Sequence, residues 1–225
     1  MLDHFRHLLV ESPELQKYNL HGGLATWLLQ DTQKVFQLGT AARDAWQRND
    51  IQTARGQIIA LMDYLDGEEL AAKELPAGTA LAAAENDVRI PLQGRDPKND
   101  AYTYGNDIPV GYVYLISLHL SGALSSSRTT QDQRQLATRI DTALNEMDHE
   151  LTLVHDKAKI LAYLDDAVLA QSTSLATLND IVTAAQTAYT GHIDQPSGQS
   201  QGGAIWVYTN IQRLVQFTIT PYSGS

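Results

Sequence analysis

The sequence predicts an all-α fold: an up-down bundle of four to five main helices in a single domain spanning residues 1–225. Three observations carry that expectation. Apolar side chains recur near the 3.6-residue period in several long stretches. The longest of these, 131–164, holds neither proline nor glycine. Four of the seven prolines fall within 74–109, which concentrates the helix breakers in one excursion.

Each element follows from local pattern. In 2–10, Leu2, Phe5, Leu8 and Leu9 make a short amphipathic stripe. Ser12-Pro13-Glu14 restarts the chain, with Ser12 suited to an N-cap, Pro13 to the first helical position and Glu14 to the first turn. Gly22-Gly23 breaks that segment. Leu24, Trp27, Leu28, Val35, Leu38 and Ala42 define a long helix over 24–48, and Ile51, Ala54, Ile58, Leu61, Met62 and Leu65 define its partner over 51–65. The short turn at Asn49-Asp50 makes the two an antiparallel hairpin.

The segment 74–109 carries Pro76, Pro91, Pro97 and Pro109 with Gly78, Gly94 and Gly105. A connection of that length either folds over the bundle or carries function; Val88-Arg89-Ile90 fits a short extended piece. In 110–120, Tyr112, Tyr114, Ile116 and Leu118 alternate as in a strand, yet the run is apolar on nearly all sides. It reads as a buried helix, with a strand as the alternative. Thr129-Thr130 opens the helix over 131–164, with Leu136, Ile140, Leu144, Met147, Leu151, Val154 and Leu161 as its core stripe. Further helices are expected over 172–189, stopped by Gly191, and 204–216. The runs around Trp27 and Trp206 echo each other, each after a double glycine, and 61–66 echoes 160–165, but the mirrored order of the two echoes along the chain argues against a tandem repeat.

Composition bounds the function. A chain of 225 residues with 43% apolar and 19% charged side chains has the means to bury a large core, not to remain disordered. The net charge of −10 and the absence of any basic run argue against nucleic-acid binding and against adsorption to anionic membranes. No run reaches the roughly 18 apolar residues of a membrane span, so no direct membrane insertion is expected. Zero cysteines exclude disulfides, thiolate metal sites and cysteine nucleophiles. Few lysines among many Gln, Thr and Ser lean towards an extracytoplasmic surface, with a cytoplasmic protein as the alternative. The start, Met1-Leu2-Asp3-His4, has no signal-peptide pattern. The helices and the Ile211-Gln212-Arg213-Leu214…Thr220-Pro221-Tyr222 ending resemble, in a general way, bacterial extracytoplasmic helical proteins. That likeness implies no activity and no site.

Chemistry-bearing patterns are sparse. There is no Gly-x-Ser-x-Gly elbow, no P-loop and no dinucleotide fingerprint, so no catalytic residue and no cofactor is expected. Glu146-x-x-His149, with Glu150 beside it and His155-Asp156 further on, is the best metal-like signature. Glu and His three apart share a helix face, as in di-iron carboxylate bundles, but those need a second pair. His4 and His7, also three apart, fit a shared surface metal with Asp3. His119 on its apolar stretch fits a core histidine, and His21 and His192 lie beside loops. The loop acids Asp87, Asp96, Asp100 and Asp107 suit calcium by type but not by spacing. Tyr102, Tyr104, Tyr112 and Tyr114 cluster in and after the excursion and, with His119, are the candidate ligand- or partner-binding residues.

The leading expectation is a non-enzymatic interaction, structural or sensor-type module, forming a homo-oligomer or binding a protein partner. The alternatives are a metal-binding bundle centred on Glu146 and His149, and a small-molecule pocket under 74–109 near Tyr112 and His119.

Overall fold

The computed structural model describes residues 2–81, 90–93, 95–96, 101–102, 110–193 and 200–216, with side chains left out at 95–96, 101–102 and 200. Among them run nine helices: α1 (Leu2–Leu9), α2 (Pro13–Gln16), α3 (Leu24–Gln47), α4 (Ile51–Glu74), α5 (Tyr112–Leu124), α6 (Gln131–Ala162), α7 (Asp166–Leu169), α8 (Ser172–Thr190) and α9 (Gly203–Leu214). The extended elements are two antiparallel ribbons, β1 (Arg95–Asp96) with β2 (Ala101–Tyr102), and β3 (His192–Ile193) with β4 (Ser200–Gln201). The fold is an all-α bundle, as the periodicity predicts. No helix among the described residues is long and apolar enough to cross a membrane.

Four long helices close a ring: α3 packs on α4, α4 on α6, α6 on α8, and α8 back on α3. The stripes that predicted these helices face inward, with Leu28, Val35, Ile58, Leu65, Ile140, Leu151, Val154 and Leu178 at 0–1% exposure. At Gly39 a side chain would come within 3.1 Å of the Ile181 methyl, so glycine sets how closely α3 approaches α8. Helix α6 opens on a complete capping box. Thr130 accepts the Gln133 N–H at 3.2 Å, and the Gln133 side chain accepts the Thr130 N–H at 3.0 Å. Its far end is closed by Arg55 of α4, whose guanidinium donates to the carbonyls of Ala162 at 3.0 Å and Leu164 at 2.6 Å and to Asp166 at 2.9 Å. Those carbonyls would otherwise lack donors at the helix terminus.

Of the helices outside the ring, α5 and α9 are the longest. Helix α5 packs against α1, α3 and α6, and α9 against α3, α6 and α8. The helical reading of 110–120 is the observed one, extended to Leu124.

Helix α4 departs from expectation. It continues past Leu65 to Glu74 but breaks at Gly67, which adopts φ 74° and ψ 156°. That φ lies in the left-handed region that glycine enters without a Cβ penalty. The break frees carbonyls that an unbroken helix would satisfy internally. Residues 90–93 supply the donors: the N–H of Leu92 reaches the Tyr64 carbonyl at 3.0 Å and that of Gln93 the Leu65 carbonyl at 3.1 Å. The other side of the same strap serves α5. The carbonyls of Pro91 and Leu92 accept the N–H groups of Tyr112 at 2.9 Å and Val113 at 3.2 Å, at a helix start with no side-chain cap. Ile90 and Leu92 anchor the strap in the core at 1% and 0% exposure. The Gln93 amide donates to the Asp148 carbonyl, the Asp148 carboxylate and the Thr152 hydroxyl, all within 3.0 Å. The excursion is thus pinned to the bundle at 90–93. Of the extended piece expected at Val88-Arg89-Ile90, the first two residues lie outside the described residues, as do Asp87, Asp100, Asp107 and Tyr104.

The strap runs so close to α5 that a Cβ on Gly111 would collide with the Gln93 carbonyl. Gly111→Ala is expected to lower stability by about 2 kcal/mol or more, because backbone rather than a flexible side chain must move. Gly56, in α4 with open space around its Cα, is the control. Gly56→Ala is expected to stabilise by up to about 1 kcal/mol, since alanine is the better helix former. Urea denaturation of the two variants checks both signs.

Candidate metal centre

The structure brings His119, which the sequence leaves as a separate feature, onto the His4 and His7 pair. Helix α1 buries Phe5 and Leu8 against the body of the protein, so the neighbouring stripe of His4 and His7 is carried onto α5. His119 lies one turn before the end of α5 and is 7% exposed. Its Nδ1 is 3.1 Å from His4 Nδ1. The His7 ring meets the His119 ring edge-on, with centroids 4.9 Å apart. Glu14, in the single turn of α2, completes the group. Ligand atoms of His7, Glu14 and His119 lie within 4.8 Å of one another.

Electrostatics leave His119 and Glu14 in the forms that ligate. Burial pulls the His119 imidazole below its ordinary value, and the neighbouring His7 and His4 act in the same direction against the attraction of Glu14. Burial also lowers His4. His119 is therefore neutral at neutral pH and keeps a lone pair. For Glu14, burial pushes the carboxyl up, but hydrogen bonds from the Ser12 hydroxyl and from its own backbone N–H outweigh it and hold the group ionised. Ser12 does sit at the N-cap of α2, as expected, yet its hydroxyl bonds to Glu14 instead of capping the helix. Two ring nitrogens, His7 Nδ1 and His119 Nε2, are buried with no hydrogen-bond partner among the described residues. Buried polar atoms are normally satisfied, so two bare nitrogens on rings clustered with a carboxylate call for an occupant.

A second group of similar composition has the opposite proton state. His155 Nε2 lies 2.8 Å from Glu74 and 3.2 Å from Asp66, and its Nδ1 lies 3.1 Å from Asp156. Lys159 reaches Glu74 at 3.0 Å. On a straight helix, residues eight apart are separated by roughly 12 Å along the axis. Here the Asp66 and Glu74 carboxylates lie within 4.8 Å of each other, because α4 breaks at Gly67 between them. Burial alone would lower His155, but hydrogen bonds to Asp66 and Glu74, with the charge of Asp66, raise it to about 10. The ring is an imidazolium with both N–H groups engaged. A metal would have to displace a proton held about three pH units above neutrality, roughly 4 kcal/mol. This cluster is an internal ion-pair network tying the second half of α4 to α6.

The remaining sequence candidates fall elsewhere. Glu146 and His149 line one cavity of about 520 Å³ with Glu150, His192 and the backbone of Gly191 and Gly202. A second cavity of about 290 Å³ shares Glu146 and His192 and adds Arg139, Trp206 and Arg213. Glu146 and His149 are absent from the described groups whose ligand atoms converge within 4.8 Å. Both cavities lie along α6 and the β3–β4 ribbon rather than at Tyr112 and His119. Tyr112 is a core residue at 0% exposure, and Tyr114 is half-buried. Tyr102 contributes backbone to β2, and Tyr104 lies outside the described residues. The His21 carbonyl accepts the Trp27 indole N–H at 2.9 Å. Asp3 is exposed, and in its place Glu14 is the carboxylate of the histidine cluster. Glu14 was legible only as a first-turn acid; its role depends on α2 folding back towards α5.

The His155 network gives stability a signed pH dependence. A histidine raised from 6.5 to about 10 on folding contributes its stabilisation fully below pH 6.5 and loses it as pH rises towards 10. Across that window the native state holds the extra proton, so stability falls with pH at up to about 1.4 kcal/mol per unit. Urea midpoints of the wild type are expected to fall between pH 7 and about 9.5, while His155→Gln is less stable at pH 7 and lacks that slope.

Comparison with family models, with curated proteins and with solved structures finds no match to this chain.

Proposed function

We propose that the protein is a metal-binding helical bundle that holds one divalent transition-metal ion between α1, α2 and α5, through His7, Glu14 and His119. The observation that carries this reading is the buried Nε2 of His119, bare of any hydrogen-bond partner among the described residues, on a ring clustered with His7, whose Nδ1 is likewise bare, and with the ionised Glu14. Two imidazoles and a carboxylate are a donor set that zinc accepts, and three protein donors leave a fourth position for water or another ligand. The reading takes up the metal-bundle alternative from the sequence and moves its ligands away from Glu146 and His149. No oxidation or hydrolysis is assigned to the ion.

The ion would also act as a clasp. His7 and Glu14 come from the N-terminal helices and His119 from α5, so binding adds to the folded state a link the unfolded chain lacks.

Metal analysis of protein purified without a histidine tag, followed by calorimetric titration with Zn²⁺, tests the reading. One ion per chain is expected, with affinity reduced by at least about 100-fold in His119→Ala and in His7→Ala. Affinity should be unchanged in Glu146→Gln and His149→Ala. At a free zinc concentration of about 100 Kd the folded state should gain about 2.7 kcal/mol. A wild type that takes up no stoichiometric ion, or one whose affinity follows Glu146 and His149, overturns the proposal.

A further inference from the structure

His4 shares the cluster but stands outside the three-ligand group, and its place needs explanation. Its ring lies over Gly122, one turn beyond His119 on α5, where any Cβ would run into the imidazole. The glycine opens a slot on α5, and the slot seats the His4 Nδ1 at 3.1 Å from the His119 Nδ1. Two ring nitrogens at that distance share one proton, so one donates and the other accepts.

We infer that His4 is the positioning residue of this centre: it accepts the Nδ1–H of His119, locks that ring in the Nδ1-protonated tautomer, and leaves the Nε2 lone pair to the ion. The inference rests on the metal reading above. The opposite assignment puts the proton of His119 on Nε2, where a buried N–H would face no acceptor among the described residues. Orphaned buried N–H groups are the rarer and costlier defect, whereas a bare lone pair is what a cation satisfies. Metal-bound imidazoles ordinarily donate their second N–H to an acceptor that fixes ring and tautomer. In this chain the acceptor is a second imidazole, delivered by the same short helix that delivers the ligand His7.

The test separates this inference from the one it rests on. In metal-free, ¹⁵N-labelled protein at about pH 8, above the ordinary histidine range, long-range ¹H–¹⁵N spectra should report His119 protonated on Nδ1. His4→Leu removes the acceptor and should return His119 to a mixture of tautomers, with zinc affinity lowered about 10- to 100-fold. His4→Asn places an amide oxygen where Nδ1 stood and should restore both tautomer and affinity. Gly122→Ala leaves His4 in the sequence but closes its slot, and should reproduce the His4→Leu result. Circular dichroism and thermal midpoints confirm that each variant is folded, and Gly122→Ala and His4→Leu check each other. A His119 ring protonated on Nε2 in the wild type, or unchanged zinc affinity in folded His4→Leu, overturns the positioning role and leaves the metal centre standing. A wild type that binds no zinc overturns both.

Discussion

The break in α4 at Gly67, and the main-chain bonds that close it, set the rest of the arrangement. A helix interrupted in the core exposes carbonyls that cannot go unbonded. Residues 90–93 meet that demand on one edge and the equivalent demand of the α5 N-terminus on the other. The strap therefore fixes two directions at once. The second half of α4 turns so that Asp66 and Glu74 converge on His155. Helix α5 starts where its length carries His119 to the underside of α1. Both polar centres depend on four backbone hydrogen bonds made by a segment with no regular structure of its own.

The two centres are assembled from the same side-chain types and differ in where the protons sit. Around His155 three carboxylates and one lysine surround a single ring, and the ring keeps its charge. Around His119 the neighbours are imidazoles and one carboxylate, and burial disfavours charge on the ring. Composition alone would rank the first cluster as the better metal site, having two buried acids. Proton occupancy reverses that ranking, because a doubly protonated imidazole has no lone pair to give.

Much of the fold is legible in the sequence, and little of the site is. Helices α3, α6, α8 and α9 follow from their apolar stripes to within one or two residues, and Thr130 and Asp50 cap where their residue types indicate. The extension of α4 is hidden because Asp66-Gly67-Glu68-Glu69 interrupts the stripe and glycine looks like a terminator. The strap is hidden for a different reason: its joins to α4 and α5 are made by backbone, and its two apolar anchors, Ile90 and Leu92, are too few to form a readable period. Tyr112 looks like a surface aromatic because it follows a polar loop, but α5 is covered on most sides and takes its first residue into the core. His4 and His7 are visible as a pair, and His119 is visible as a histidine on an apolar face. Their meeting spans more than a hundred residues of chain and exists only once α1 and α5 are packed, so no local rule places them together.

The contact between Gly111 and the Gln93 carbonyl has one more consequence. Residues 93 and 111 are held against each other, with both fastened to the same few backbone atoms. The cost of closing a loop grows only with the logarithm of its length once its ends are held together. The entropy of closing 94–110 is therefore offset by backbone contacts on either side of it, at 91–93 and 111–113. Doubling that connection would add only about 0.6 kcal/mol to the closure cost.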